Sequence, residues 1–160
     1  MALLSSSKKL SGIRYVCRAD SAIDEEKSDR ERYESDPMKH ADSLVYKDGQ
    51  EPTVFILNFN LKIHEYSEIK NASISGVDRK SDAKLTMGSW AETVAKFCLK
   101  GIENPPDVSN PLVKFKRDGR GYVSDEVLSI LAPTGVIEEI WQLYLTSREP
   151  QTEEQANLKN

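Results

Sequence analysis

Cysteine and histidine are the scarcest reactive residues in this sequence. Among 160 residues there are only two cysteines, Cys17 and Cys98, and two histidines, His40 and His64. Two distant cysteines do not make a disulfide framework, so a reducing compartment is the simpler assumption. Neither histidine has a cysteine or a second histidine at ligand spacing, which removes the usual zinc patterns. His64 and Glu68, at i and i+4, read as ordinary helix-surface pairing. None of the eight glycines falls in a phosphate-binding or dinucleotide pattern. Long apolar runs are missing too. The longest useful one, residues 54–57, has a strand's length and is far too short for a membrane-spanning helix. At the start of the sequence, Lys8 and Lys9 follow Ala2, Leu3 and Leu4, the wrong order for a secretory signal. Without such a signal, the acceptor pattern Asn71-Ala72-Ser73 reads as coincidence. No membrane partner and no secretion are expected.

The charge is abundant and mixed. Charged residues make up 30% of the chain against 38% apolar ones, with a net charge of −4 and a mean hydropathy of −0.55. This is a globular balance tilted towards polar, enough for one compact domain with polar appendages. A dedicated nucleic-acid binder would show a basic face. The basic clusters here are Lys8-Lys9 and the group Lys114, Lys116, Arg117 and Arg120. The second group reads as a solvated hairpin tip, so nucleic acid is not an expected partner.

Along the chain, residues 13–17 alternate in the manner of a short strand, with Ile13, Tyr15 and Cys17 on one face. Residues 20–36 then carry eight acids against Lys27, Arg30 and Arg32. That segment has too little apolar content to fold alone, and residues 1–43 are read as an extended charged arm. Residues 44–47, then Asp48-Gly49, then residues 53–59 predict a β-hairpin, Asp-Gly supplying the positive-φ turn. The second strand is apolar on both faces, as expected of a central strand covered on both sides. Residues 62–72 predict a helix presenting Ile63, Tyr66 and Ile69. Ser89 and Glu92 form a capping box that opens a helix with Trp90, Val94, Phe97 and Cys98 on its stripe, ending near Gly101 before Pro105-Pro106. Residues 113–123 predict a second hairpin turning at Asp118-Gly119. Ser124 caps a short helix to Leu131, Pro133 breaks it, and Thr134 caps a longer helix. In the longer helix Glu138 and Glu139 sit in the first turn, and Ile137, Ile140, Trp141, Tyr144 and Leu145 form the apolar stripe. The predicted class is α+β: a small antiparallel sheet of two hairpins packed with about four helices in a domain at 44–150, between the arm at 1–43 and a polar tail at 151–160.

One motif imitates a metal site. Residues 118–124 resemble the middle of a calcium-binding EF-hand loop, with Gly121 at the sharp turn. In that register Lys116, Arg120 and Val127 occupy the first, fifth and twelfth ligand positions, where calcium needs oxygens. No metal, cofactor or catalytic residue is assigned. Cys98, on an apolar stripe, reads as a buried structural thiol. Trp90 and Trp141 read as core anchors or, in a small core, as interface anchors.

From about Thr53 onward the layout resembles small accessory proteins of tailed bacteriophages, particularly tail-assembly-chaperone-like ones. The likeness lies in the apolar strand (54–59), the polar helix after it and the Trp90 helix ending near Gly101-Ile102-Glu103-Asn104. It continues through the helix capped by Ser124, the helix with Glu138, Glu139, Ile140 and Trp141, and the ending from Thr152 to Asn160. It implies a non-enzymatic virion structural or assembly protein. Its expected partners are other phage structural proteins and copies of itself, in the virion or the host cytoplasm. A chaperone that leaves the particle is the alternative within that class. A cellular adaptor touching nucleic acid through Lys114, Lys116, Arg117 and Arg120 is the alternative outside it.

Overall fold

The structure is a computed structural model that describes residues 10–78, 83–105 and 112–148, with side chains described at 10–72, 90–105 and 114–147. The fold is α+β. A three-stranded antiparallel sheet has the order β1 (Ile13–Tyr15), β2 (Val54–Leu57), β3 (Leu99–Glu103). Around it lie α1 (Arg30–Ser35), α2 (Ile63–Asp78), α3 (Ala83–Cys98), α4 (Leu112–Phe115), α5 (Asp125–Leu131) and α6 (Val136–Arg148). The four expected helices correspond to α2, α3, α5 and α6, and α1 and α4 are short additions.

The doubly apolar strand is central, as its sequence requires. Phe55 pairs with Tyr15 on one side and with Ile102 on the other, and Val54, Phe55 and Leu57 are buried. Its partners are not the expected ones. The Asp48-Gly49 turn forms, with Gly49 at φ 73° and Gln50 N–H donating to Lys47 O at 3.1 Å. The segment before the turn, however, pairs with residues 22–24. Tyr46 bridges Ile23, and Asp24 N–H donates to Val45 O at 2.8 Å. The first hairpin is therefore corrected: a turn fixes a local reversal, whereas pairing goes to the strands that cover both flanks of β2. The second is reduced to one bridge, Arg117 to Val123. Lys114 and Phe115 before it have φ of 52° and 51°, incompatible with an extended strand.

Strand β3 was not expected. Helix α3 passes into it directly, with no intervening turn residue, so the helical period of 90–98 hides the change. Helix α3 also begins at Ala83, ahead of Ser89. Ser89 and Glu92 thus lie inside the helix and do not cap it. The residues from Ala83 to Met87 are mostly good helix formers, and they extend the helix past the local cap signal.

The acidic segment is the largest correction. Residues 13–44 are built into the fold, with Ile13, Tyr15, Val16, Cys17, Ile23, Tyr33 and Leu44 in the core. Tyr33 is 2% exposed. Its hydroxyl accepts from Val16 N–H at 2.8 Å and donates to Arg14 O at 3.3 Å. The arm's outer part (1–9) and the tail (151–160) lie outside the described residues.

The predicted caps of the last helices are in place. Ser124 Oγ accepts from Val127 N–H at 3.4 Å. Thr134 Oγ1 accepts from Val136 N–H at 3.3 Å and donates to Leu131 O at 2.6 Å. Gly135, at φ 81°, reverses the chain between them. The expected stripe on α2 holds at Ile69 and fails at Ile63 and Tyr66. Ile63 is 86% exposed and Tyr66 is at the surface, while Glu65 is 4% exposed and Ile69 is buried. Glu65 accepts from Lys62 N–H at 2.7 Å, an N-terminal capping interaction that turns the carboxylate inward.

Candidate functional site

The two tryptophans meet. Trp90 on α3 and Trp141 on α6 have ring centroids 5.7 Å apart, and Trp141 stacks on Tyr144 at 5.9 Å. Tyr144 reaches Phe59 at 6.2 Å. The row of rings runs from the end of β2 to the surface. Tyr144 and Phe59 are buried, Trp90 and Trp141 are half-buried, and Leu145, at i+4 from Trp141, is 37% exposed. Trp141 and Leu145 therefore share one outer stripe of α6. The indole N–H of Trp90 is buried without a partner among the described residues. Trp141 thus packs against the core, Trp90 packs on Trp141, and both are only partly buried.

The basic group is brought together only in part, and mostly into internal pairs. Lys116 Nζ lies 3.1 Å from Glu126 Oε1, and Arg120 Nη2 lies 2.8 Å from Glu68 Oε1. Arg117 donates to Lys100 O at 2.8 Å and to Gly121 O at 3.1 Å, with its guanidinium 5.0 Å from the centre of the Phe115 ring. Lys114 is exposed. Cations held by carboxylates and carbonyls of the same chain make poor phosphate contacts, because each would have to give up a bond to make one. Glu68, taken by Arg120, is not paired with His64. The His64 ring instead lies 3.1 Å from the Tyr122 hydroxyl.

The EF-hand-like loop is closed by protein groups. Asp118 Oδ1 accepts from Arg120 N–H at 2.9 Å and Tyr122 N–H at 3.0 Å, and its other oxygen faces Lys96 at 3.3 Å. Burial opposes the charge on Asp118, but these donors outweigh it and hold the carboxyl below its usual range. Among the described residues no three His, Cys, Asp or Glu side chains gather in a metal-holding group, and no helix is long and apolar enough to cross a membrane.

A polar cluster that sequence reasoning missed joins the acidic segment to α6. Arg30 Nη2 donates to the Tyr15 hydroxyl at 2.7 Å and to Glu139 at 3.2 Å, while its Nε donates to Glu34 at 2.8 Å. Its guanidinium lies 5.3 Å from the centre of the Tyr15 ring and 5.0 Å from that of Tyr33. Tyr15 O–H donates to Glu139 at 2.6 Å, and so does Arg18 N–H at 3.0 Å. The signal available in the sequence was the lone Tyr33 among the acids, spaced three residues from Arg30.

Neither thiol is set up as a nucleophile. Cys17 donates to Glu139 Oε2 at 2.9 Å. Burial, then that hydrogen bond, push its thiol up to about 12. Burial pushes Cys98, 0% exposed, up to about 12 as well. A reactive thiol needs the opposite setting, with cations or helix N-termini lowering its pKa.

Two grooves flank the loop that carries Asp48-Gly49. The larger, about 780 Å³, has Cys17, Phe55 and Leu131 in its floor and Asp20, Glu51 and Asn104 on its walls. The smaller, about 490 Å³, shares Glu51 and Asn104 and is lined by Tyr33, Met38 and Val54. Asp20 and Asn104 serve the fold: Asn104 O accepts from Thr53 Oγ1 at 2.7 Å. Asp20 accepts from Ala22 N–H and Thr53 N–H at 2.9 and 2.8 Å. Searches of protein-family models, of curated proteins and of solved structures find no match to this chain.

Proposed function

We propose that the chain is a non-enzymatic accessory protein that acts through protein–protein contacts, as a structural or assembly component of a tailed-bacteriophage particle. The observation that carries the contact reading is the half-buried pair Trp90–Trp141, with Leu145 exposed beside it. Tryptophan fixed by packing on one face and open on the other is the side chain most enriched at binding hot spots, because its ordering entropy is already lost before a partner arrives. The assignment to a phage particle is supported by the layout from Thr53 onward: an apolar strand, a polar helix, a tryptophan-bearing helix and a terminal Glu-Glu-Ile-Trp helix.

Retention in the particle is favoured over a chaperone that leaves. A chaperone holding aggregation-prone segments profits from an adaptable surface, whereas the acidic segment around Arg30 is fixed to Tyr15 and Glu139. Virion and host cytoplasm are the corresponding locations. The nucleic-acid adaptor reading is disfavoured by the internal pairing of Lys116, Arg117 and Arg120.

The test is co-purification with mass determination. Particles from the source that encodes the chain should contain it in fixed stoichiometry, and Leu145→Glu, at the exposed position beside Trp141, should remove it from them while its far-UV circular dichroism stays unchanged. Particles free of the chain, or equal incorporation of the variant, would contradict the reading.

A further inference from the structure

Aspartate followed by glycine occurs twice in the chain, at Asp48-Gly49 and at Asp118-Gly119, and each pair follows a base, Lys47 or Arg117. Such a pair can rearrange without an enzyme. The glycine's backbone nitrogen attacks the side-chain carboxyl carbon of the aspartate and closes a five-membered succinimide. The carboxyl hydroxyl leaves as water with the proton from that nitrogen. Water then opens the ring at either carbonyl. One opening restores aspartate; the other gives isoaspartate, whose backbone runs through the former side chain. No oxidant, reductant or cofactor enters. Glycine permits the closure because no side chain crowds the attacking nitrogen. With the local chemistry matched, the fold decides which pair reacts.

The two carboxylates are held differently. Asp118 Oδ1 accepts from Arg120 N–H at 2.9 Å and Tyr122 N–H at 3.0 Å, and Oδ2 lies 3.3 Å from Lys96 Nζ. To reach the Gly119 nitrogen, the carboxyl would have to leave all three. Water is lost only from the protonated acid. Burial favours that form of Asp118, but the same donors outweigh it and hold the group ionised below its usual range. Asp48 has none of these restraints. It is exposed, and among the described residues its carboxylate has no hydrogen bond or ion pair. The Gly49 nitrogen donates to no acceptor either. The bonds that hold this turn belong to its neighbours. Gln50 N–H donates to Lys47 O at 3.1 Å, and Lys47 N–H donates to Ala22 O at 2.9 Å. Ring closure at Asp48 therefore breaks no contact first.

We infer that Asp48-Gly49 is a site of spontaneous isoaspartate formation in the folded protein, and that the fold protects Asp118-Gly119 from the same change. The product at position 48 adds one carbon to the backbone between Lys47 and Gln50, the residues that close the turn. It is a β-linked aspartyl residue with a free α-carboxylate, the group that isoaspartyl methyltransferases modify. The site is independent of the particle reading above.

Ageing the full-length chain tests this. One sample is kept warm for weeks in buffer at about pH 6, above the range where protonation of carboxylates unfolds proteins. A second is kept in urea. Both are digested, and isoaspartate is read at each pair by methyl transfer from S-adenosylmethionine and by a retention shift at unchanged peptide mass. In the folded sample, isoaspartate at 48 should exceed that at 118 by at least about tenfold, because a reacting group held out of position loses orders of magnitude in rate. In urea the two should agree within about threefold, since no fold then orients either pair. Asp48→Glu, which removes no contact and would need a six-membered ring, should abolish the signal from that peptide. Equal accumulation at the two pairs in the folded chain, an excess at 118, or none at 48 would overturn the inference. So would a difference in urea as large as in the folded state, or a signal that persists in Asp48→Glu.

Discussion

Arg30 reaches across the molecule to Glu139, 109 positions later, with Nη2 3.2 Å from Oε1. The guanidinium lies beside the stacked rings of Tyr15 and Tyr33, whose centres are 5.8 Å apart, and the side chains of Arg30 and Glu139 are 21% and 16% exposed. The pair fastens the acidic segment to the first turn of α6. Removing Arg30 leaves the largely desolvated Glu139 with neutral donors alone, the Tyr15 hydroxyl, the Arg18 N–H and the Cys17 thiol. Arg30→Met should therefore lower stability by about 2–3 kcal/mol in urea unfolding. Glu31→Gln, on the exposed side of α1, should change it by less than about 0.5 kcal/mol.

Tyr33 supplies what a neighbouring strand would otherwise give to the outer edge of β1. Its hydroxyl accepts from Val16 N–H and donates to Arg14 O. Arg117 meets Lys100 O in β3 in the same way. Side chains thus occupy positions on both edges of the sheet where another strand could pair. Tyr33→Phe should cost about 1–2 kcal/mol, the penalty of stranding buried backbone groups. The urea midpoint should shift with no change in slope.

The buried carboxylates predict an acid limb. At Glu34, hydrogen bonds from Arg18 and then Arg30 outweigh the opposing effect of burial and hold the carboxyl below the usual range. At Glu65, burial acts against ionisation, but the Lys62 N–H and the Tyr122 hydroxyl outweigh it and lower the pKa. A folded pKa below the unfolded one means that the folded state binds fewer protons. Stability is then complete above the ordinary glutamate range, near about 4.3, and declines as pH falls through the depressed values. Melting temperature should accordingly be flat from neutral pH down to about 5 and drop below that. Glu65→Gln should flatten the drop; an acid limb of unchanged steepness would contradict this assignment.

Much of this fold is written locally, and what is not follows one rule. Helices α5 and α6 carry their own caps in Ser124 and Thr134, and β2 carries its own apolar faces, so all three are legible from residues a few positions apart. Strand pairing is not local. Nothing near Asp48-Gly49 says that Tyr46 will meet Ile23 while Phe55 meets Tyr15 and Ile102. Glu65 was legible as a helix residue but not as a buried one, because the Tyr122 hydroxyl that bonds it comes from a distant loop. The acidic segment misleads for the same reason. Its own apolar content is too low for independent folding, yet Arg30 and Tyr33 find partners in β1 and α6. At the candidate site, Trp90 and Trp141 were both marked by sequence, but their 5.7 Å approach needed the packing of α3 on α6.

The thiols predict a clear chemical outcome. Cys17 and Cys98 are buried and both pushed up to about 12. At pH 8 the native chain should react with a disulfide reagent no faster than it unfolds, whereas both thiols should react at once in denaturant. Rapid labelling of either cysteine in the native state would show that burial or the Glu139 contact is misplaced.

The most direct test of the central claim is the composition of the assembled particle. Quantitative mass analysis should find the chain in fixed stoichiometry in particles made with the wild-type sequence. Particles made with Leu145→Glu should lack it, although that variant is folded and present in the same cells. If the wild-type chain is instead recovered only as a compact monomer, absent from particles and bound to no other protein, the account of it as a contact-making component is contradicted.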